Sequence, residues 1–275
     1  GRLGPGRCIR LWSRAEHAGR RAAETPEVLR LDLTRTVLEL HAWTLGTART
    51  LGWLDPPPPA ALERAEALLG QLGALDPATG TLTGTGRRML ALPTEPRLAR
   101  LLVEAERAGC GADGALLAAL AAERDVLAAA RGPGAPAPRD FPPGASDLLL
   151  RAELFEDAAR RRLTPDACRA LGLDPGAVRA VERARRQLAH RLGGSAGGAD
   201  AATLLRCVLA GFPDRVARRR APGSPRAVML GGTGVMLDAA SVVRDAELFV
   251  AVDLERGAGP EARVRVASAI EAAWL

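Results

Sequence analysis

Apolar residues recur at helical spacing over most of the first two thirds of the chain. Val28, Leu33 and Val37 lie on one face of a predicted helix that starts at Thr25-Pro26-Glu27, where a hydroxyl cap precedes a proline and an acidic residue, and ends near Trp43. The same periodicity predicts further helices over 60–72, 97–108, 112–129, 147–162, 174–192 and 201–209. The pattern therefore favours a mostly helical fold.

Two short segments of the first hundred residues predict β structure instead. Residues 7–12 alternate polar and apolar side chains, which is typical of a half-buried strand. Residues 72–76 and 81–83 are joined by Pro77-Ala78-Thr79-Gly80, which predicts a hairpin directly after a helix. Helix, helix and hairpin, in this order, are typical of a winged-helix domain.

The apolar pattern changes again in the last quarter of the chain. Short apolar runs at 227–230, 234–237, 248–254 and 264–266 are separated by glycine and charged residues, with a predicted hairpin turn at Gly231-Gly232-Thr233-Gly234. Such strands are typical of a small β-barrel. Because the last run lies close to Leu275, we expect the barrel to be partial.

Composition excludes some chemistry. The chain has no lysine, so all 38 basic residues are arginine, and it has no tyrosine. A phosphate-binding P-loop needs its lysine, and Schiff-base catalysis needs one too. The net charge of +6 permits binding to a polyanion. Arginine in place of lysine is also typical of a GC-rich genome, so the charge alone does not decide the function.

Cysteine and histidine residues are too scattered to predict a metal site. No C-x-x-C pair occurs, so we expect reduced and mostly buried thiols in a cytoplasmic protein; the cysteines are Cys8, Cys110, Cys168 and Cys207. His17, His41 and His190 are isolated and are interpreted as structural or surface residues. No apolar run is long enough for a membrane span. Since the chain starts at Gly1, we expect it to derive from a longer protein.

Six motifs in the first hundred residues occur in the order and spacing of a known family. They are Gly1-Arg2 with Leu3-Gly4-Pro5-Gly6-Arg7-Cys8 after it, Pro26-Glu27-Val28-Leu29-Arg30, Leu54-Asp55-Pro56-Pro57, Leu72-Gly73-Ala74-Leu75-Asp76, Leu82-Thr83 with Gly86-Arg87, and Leu92-Pro93 with Pro96-Arg97-Leu98-Ala99. Together they resemble the region after the second motor domain of DEAH-box helicases of the bacterial HrpB type. Residues 147–192 and 212–219 resemble later parts of the HrpB type alone.

This resemblance implies a mostly α fold with small β elements, in four parts. They are the end of the second RecA-like motor domain (1–24), a winged-helix domain (25–92), a helical ratchet-like domain with a Pro/Gly-rich linker at 131–146 (93–198), and a partial OB-like β-barrel (199–275). The upstream motor motifs of the family are absent from the chain, and its C-terminal extension is not found before Leu275.

The resemblance also implies an ATP-dependent RNA helicase, a nucleoside-triphosphate hydrolase that couples ATP hydrolysis to translocation along single-stranded RNA. Arg2 matches the last arginine of motif VI, where an arginine finger stabilises the transferred phosphoryl group. Gly1 before it would let the nucleotide approach the backbone. ATP and Mg²⁺ would be bound mainly by the motor domains, so we expect this chain alone to bind no cofactor and to be inactive.

Two groups of arginines are candidates for binding single-stranded RNA, and DNA stays open as a second ligand. Arg179, Arg183 and Arg186 share one predicted helix face at i, i+4 and i+7, and Arg218-Arg219-Arg220 forms a basic cluster. Solvated surface in an arginine-rich chain is the alternative interpretation. The motor domains of the parent chain are the other expected partner, and no membrane is expected.

Two further functions stay open at this stage. A stand-alone winged-helix protein would bind nucleic acid without catalysis, and we expect such a module to start with its own methionine and to lack the motif VI match. A protein-interaction scaffold would use its apolar helix faces, and it would show no salt-dependent binding to nucleic acid.

Overall fold

The computed structural model describes residues 3–21, 23–43, 48–128, 141–193, 197–256, 259 and 261–275. The helices there are α1 (Arg14–Gly19), α2 (Thr34–Ala42), α3 (Pro59–Gln71), α4 (Gly84–Leu90), α5 (Pro96–Arg107), α6 (Gly111–Ala122), α7 (Asp147–Arg160), α8 (Pro165–Ala170), α9 (Pro175–Arg191) and α10 (Ala201–Gly211). The strands are β1 (Val216–Arg219), β2 (Arg226–Met229), β3 (Gly234–Leu237), β4 (Leu248–Glu255) and β5 (Ala262–Ala269). In these described ranges, no helix combines the length and the apolar character that crossing a bilayer requires.

The N-terminal segment is less regular than the sequence predicts. Residues 7–12, predicted as a strand, form no regular element, and Ile9 is 70% exposed. Backbone N–H and C=O groups in a strand need a neighbouring strand to bond to. No described strand pairs with this segment, so the strand prediction is wrong.

The first helix of the core starts later than predicted. Thr25-Pro26-Glu27 opens only a single 3-10 turn (Glu27–Leu29), and α2 begins at Thr34. The carboxylate of Asp32 accepts a hydrogen bond of 2.8 Å from the Thr34 amide, one of the N–H groups that a helix start leaves without a helical partner. The residue that supports the start of this helix is therefore Asp32, and not the Thr25-Pro26-Glu27 segment that the sequence indicated.

Helices α2, α3 and α4 pack around the predicted hairpin, which is reduced to one bridged pair between Leu75 and Leu82. The Thr83 hydroxyl accepts a hydrogen bond from the Gly86 amide at 3.0 Å and so caps α4. A Cβ on Gly86 would lie 2.3 Å from the Ala74 carbonyl oxygen. Only glycine therefore lets α4 begin directly against the hairpin.

Helices α5 to α10 contribute to the same hydrophobic core as α2, α3 and α4. Helix α6 is buried along most of its length between α5, α7 and α9. Helix α10, predicted within the barrel segment, instead packs against α5, and a Cβ on Gly211 would lie 2.7 Å from the Arg97 carbonyl oxygen. The helical part of the chain thus extends to the start of β1.

Helix α6 ends at Ala122, short of the predicted end at residue 129. Leu127 forms a bridge with Leu173, and the Asp174 amide donates to the Val126 carbonyl at 2.8 Å. These contacts come from a segment distant in sequence, so the helical periodicity of the residues after Ala122 did not reveal them.

The five strands close into a barrel in the order β1-β2-β3-β5-β4, with β3 and β5 parallel and the other pairs antiparallel. The prediction of a partial barrel is therefore wrong. Phe249 fills the interior with Ala217, Val235 and Val264. The β2–β3 turn follows the prediction, because Gly231 and Gly232 adopt φ of 84° and 85°, which glycine accommodates without strain.

A buried carboxylate joins the barrel to the helices. Asp147, at the start of α7, is 1% exposed and accepts three hydrogen bonds. They come from the Ser241 hydroxyl at 2.7 Å, the Val242 amide at 2.8 Å and the Ala267 amide at 2.8 Å. Beside it, the Ser146 and Ser268 hydroxyls are 2.7 Å apart. The first turn of α7 is thereby fixed to two separate segments of the barrel.

We expect Asp147→Ala to lower the free energy of unfolding by about 3 kcal/mol, because it leaves three buried donors without an acceptor. Asp157→Ala is the matched control on the same helix, since the Asp157 side chain is 41% exposed and its only ion-pair partner among the described residues is Arg160. The control should change stability by less than about 1 kcal/mol. Urea denaturation measures both, and similar losses in the two variants would contradict this role of Asp147.

Candidate nucleic-acid interface

Helix α9 carries an exposed basic face. Its apolar side packs on α6 through Val178 and Val181, and this orientation leaves Arg179, Arg183 and Arg186 exposed. The predicted i, i+4, i+7 arrangement on one helix is present. Within the described ranges, Arg179 and Arg183 form no ion pair, so their guanidinium groups are available to a polyanion.

Arg186 differs from the other two because its charge is neutralised. The Glu182 carboxylate accepts from Arg185 Nε at 2.7 Å and from Arg186 Nε at 2.5 Å. Burial favours the neutral form of Glu182, but the hydrogen bonds from both arginines outweigh it and hold the pKa of this carboxyl below its usual value. We therefore expect Arg186 to contribute less to anion binding than Arg179 or Arg183.

The side chains of the Arg218-Arg219-Arg220 cluster lie on opposite sides of the barrel wall. Arg218 and Arg220 are exposed, and Arg218 pairs with Glu247 at 2.9 Å. Arg219 is 7% exposed, because side chains alternate sides along a strand and β1 turns this residue inward. Arg219 therefore does not present its guanidinium group to a surface ligand, and we remove it from the RNA-binding set.

The buried Arg219 guanidinium bonds three backbone carbonyls. Its Nε donates to Ala246 at 2.7 Å, and its two terminal nitrogens donate to Ser224 and Val243. The group also lies over the Phe249 ring, 5.7 Å from its centroid. Burial lowers the pKa of the Arg219 side chain, and the charge of Asp245 opposes that effect. Arg219 thus holds the β1–β2 loop against the β3–β4 loop.

A second arginine pairing, which the sequence did not single out, positions the start of β1. Arg97 on α5 makes a bidentate pair with Asp214 at 2.5 and 2.8 Å. The Arg97 and Arg215 guanidinium groups lie 5.7 and 5.5 Å from the Phe212 ring centroid, and Arg215 donates to the Val252 carbonyl at 3.0 Å. Residues 212–219, which resemble a later part of the HrpB type, therefore connect α5 to the barrel.

The other predicted site residues, Gly1 and Arg2, are outside the described residues. The tryptophans of the N-terminal part differ in their exposure. Trp53 is half-buried and its indole donates to the Ala48 carbonyl at 2.8 Å, whereas Trp12 is 40% exposed beneath the Arg20 guanidinium. Trp43 is 67% exposed. In the described part of the chain, no cluster of three His, Cys, Asp or Glu side chains is arranged to hold a metal ion.

Comparisons with known proteins place the chain among helicases. No family model matches it. It is 32% identical over 273 residues, 98% of the chain, to the ATP-dependent RNA helicase HrpB of Escherichia coli, of which it covers 29%. It is 28% identical over 192 residues to the pre-mRNA-splicing factor ATP-dependent RNA helicase prp22 of Schizosaccharomyces pombe, which is 68% of the chain and 16% of that protein.

Solved structures agree with the sequence match. A crystal structure of the E. coli DExH-box NTPase HrpB aligns with 98% of the chain at a TM-score of 0.66 and 30% sequence identity, and the chain covers 29% of it. The chain therefore belongs to the DEAH-box helicase family and corresponds to its C-terminal region. HrpB of Escherichia coli is a relative that is matched over nearly the whole chain, in both sequence and structure. The resemblance inferred from the six motifs is confirmed.

We expect Arg219→Lys to lower the free energy of unfolding by about 2–3 kcal/mol, because a single ammonium nitrogen cannot reach all three carbonyls on the two loops. Arg218→Lys is the matched control one residue away, and it should cost less than about 0.5 kcal/mol on the exposed side of β1. Urea denaturation of both variants measures the difference. Equal stability would show that the buried contacts of Arg219 are not needed.

Asp214→Asn should destabilise the chain by about 1–3 kcal/mol at pH 7, because it breaks the charged pair with Arg97. Burial raises the pKa of Asp214, but the hydrogen bonds and charge of Arg97 outweigh it and hold that pKa below its usual value. The contribution is therefore present at neutral pH and is lost as pH falls through the folded-state pKa.

The stability difference between the chain and Asp214→Asn should consequently shrink as pH falls from about 5 to about 2. Asp166→Asn is the control, because the Asp166 side chain is 92% exposed and, in the described part of the chain, forms an ion pair with Arg169 alone. Thermal unfolding across this pH range gives both curves. A constant difference for Asp214→Asn would contradict a stabilising role of its ionised form.

Proposed function

We propose that the chain is the accessory region of an ATP-dependent RNA helicase, which couples ATP hydrolysis to translocation on single-stranded RNA. The observation that carries the proposal is the 32% identity over 98% of the chain to a protein named as such a helicase. The chain spans 29% of the length of that relative, so ATP and Mg²⁺ would be bound mainly by motor domains of a cytoplasmic parent protein. Arg2 would contribute an arginine finger there.

The architecture supports a winged helix, a helical ratchet-like domain and an OB-like barrel as the parts of this region. Helices α2 and α3 and then the bridged hairpin stand in the order expected of the first part. The barrel has five strands, and barrels of the OB type bind oligonucleotides through their strands and loops. A helicase needs such surfaces to hold RNA while the motor domains move it.

In this proposal four arginines neutralise phosphates of single-stranded RNA: Arg179 and Arg183 on α9, Arg218 on β1 and Arg220 directly after β1. The first two form no ion pair among the described residues, and the latter two are exposed beside a loop that Arg219 holds in place. Guanidinium groups release condensed counterions from the RNA when they bind, so affinity should fall steeply with salt.

The Arg179→Gln, Arg183→Gln double variant should weaken binding of a single-stranded RNA oligomer and reduce the slope of log affinity against log salt by about 1.4, about 0.7 for each phosphate contact. Fluorescence anisotropy across a salt series measures this, with a DNA oligomer of the same sequence in parallel. The control is Arg30→Gln, Arg160→Gln, which removes the same charge from residues already paired with acidic groups.

Equal losses in both double variants would mean that only net charge matters and would contradict a site on α9. No binding of RNA or DNA by the intact chain, even at low salt, would contradict RNA binding by this region alone and would favour the scaffold interpretation. We expect no ATP hydrolysis in the same samples, because the chain has no lysine for a P-loop.

A further inference from the structure

A cleft of about 540 Å³ opens where three parts of the chain meet. The C-terminal end of α3 forms one wall, α5 and α10 form another, and the single-turn helix Ala272–Trp274 after the barrel closes the third side. Its volume lies within the range of small-ligand sites, about 300–1,000 Å³. None of the arginines in the proposed RNA-binding set lines it, so it is a distinct feature.

The cleft contains an arginine stacked on a tryptophan. The Arg206 guanidinium lies over the Trp274 ring, 5.1 Å from its centroid, and both residues line the cleft. Arg206 is exposed and makes no ion pair with any described residue, whereas Trp274 is half-buried. The pair therefore offers a cation that is in no ion pair with a described residue, beside an aromatic surface that is only partly covered.

Polar groups on the opposite walls extend this chemistry. Arg100 bonds the Glu104 carboxylate at 2.7 Å through one of its terminal nitrogens. Gln71, at the end of α3, adds an amide that both donates and accepts hydrogen bonds. The cleft thus combines an aromatic face, a free guanidinium group and an amide. A base with its own phosphate requires this set: stacking for the ring, a cation for the phosphate and an amide for the base edge.

We propose that this cleft binds one unpaired nucleotide of the RNA, with the base against Trp274 and the phosphate on Arg206. The proposal rests on the proposed function for the identity of the polymer. It goes further in assigning a nucleotide site at the junction of α3, α5, α10 and the end of the chain. Binding there would connect the winged-helix part, the helical part and the segment after the barrel through one ligand.

The test is ¹⁹F NMR on the full chain labelled with 5-fluorotryptophan. The sequence contains four tryptophans, Trp12, Trp43, Trp53 and Trp274, so the four signals can be assigned by single replacement with phenylalanine. Uridine monophosphate and a single-stranded RNA hexamer are titrated separately. We expect the Trp274 signal to shift saturably with both ligands, and Arg206→Gln to weaken that response about tenfold.

The chain offers a matched control in a second arginine–tryptophan pair outside the cleft. The Arg20 guanidinium lies 4.3 Å from the Trp12 ring centroid, and Trp12 is 40% exposed. Arg20→Gln should leave the Trp274 response unchanged. Unaltered signals of Trp43 and Trp53 in the Arg206→Gln variant show that its fold is intact.

The outcomes separate this inference from the proposed function. A hexamer that binds by anisotropy but leaves the Trp274 signal in place overturns the nucleotide site and leaves the proposed function standing. A Trp274 shift with the mononucleotide, when the hexamer does not bind, contradicts both RNA binding by this region and the placement of an RNA nucleotide in the cleft. Equal shifts of Trp12 and Trp274 indicate non-specific stacking and overturn the site.

Discussion

The buried carboxylate of Asp147 is the contact on which the relation between the helices and the barrel depends. Its three donors come from the β3–β4 loop and from β5, so the barrel cannot shift against α7 without leaving a buried N–H or O–H group unpaired. The Arg97–Asp214 pair adds a second polar joint on α5. Both joints are directional, which apolar packing alone is not. The basic surfaces of α9 and β1 are therefore held in a defined arrangement.

Most helices could be predicted because their signals are local. Capping residues and prolines sit at the observed starts of α5, α7 and α9, and the apolar period continues to within a few residues of their ends. The predictions were wrong where the local structure depends on residues that are distant in sequence. The end of α6 depends on Leu173 and Asp174, and the absence of a strand at 7–12 depends on the lack of a described strand to pair with it.

The candidate site shows the same division. Helical spacing correctly grouped Arg179, Arg183 and Arg186 on one helix face, although the pairing of Arg186 with Glu182 was visible only in the structure. Arg219 was grouped with its neighbours by charge alone. The alternation of a strand would have put it on the side of Ala217, two residues earlier, and that residue is fully buried. The Arg206–Trp274 pair joins residues that are far apart in sequence, and no sequence motif predicted their contact.

The three carbonyls around Arg219 also bear on how this chain came to contain no lysine. A change in genomic base composition can replace lysine by arginine, or arginine by lysine, where the side chain is exposed to solvent. Arg218 and Arg220 are two such positions. Where one planar cation bonds three carbonyls on two loops, arginine cannot be replaced by lysine without loss of contacts. In relatives from lysine-rich proteomes, this position should therefore keep its arginine while its neighbours vary, which gives the barrel a fixed point for aligning divergent sequences.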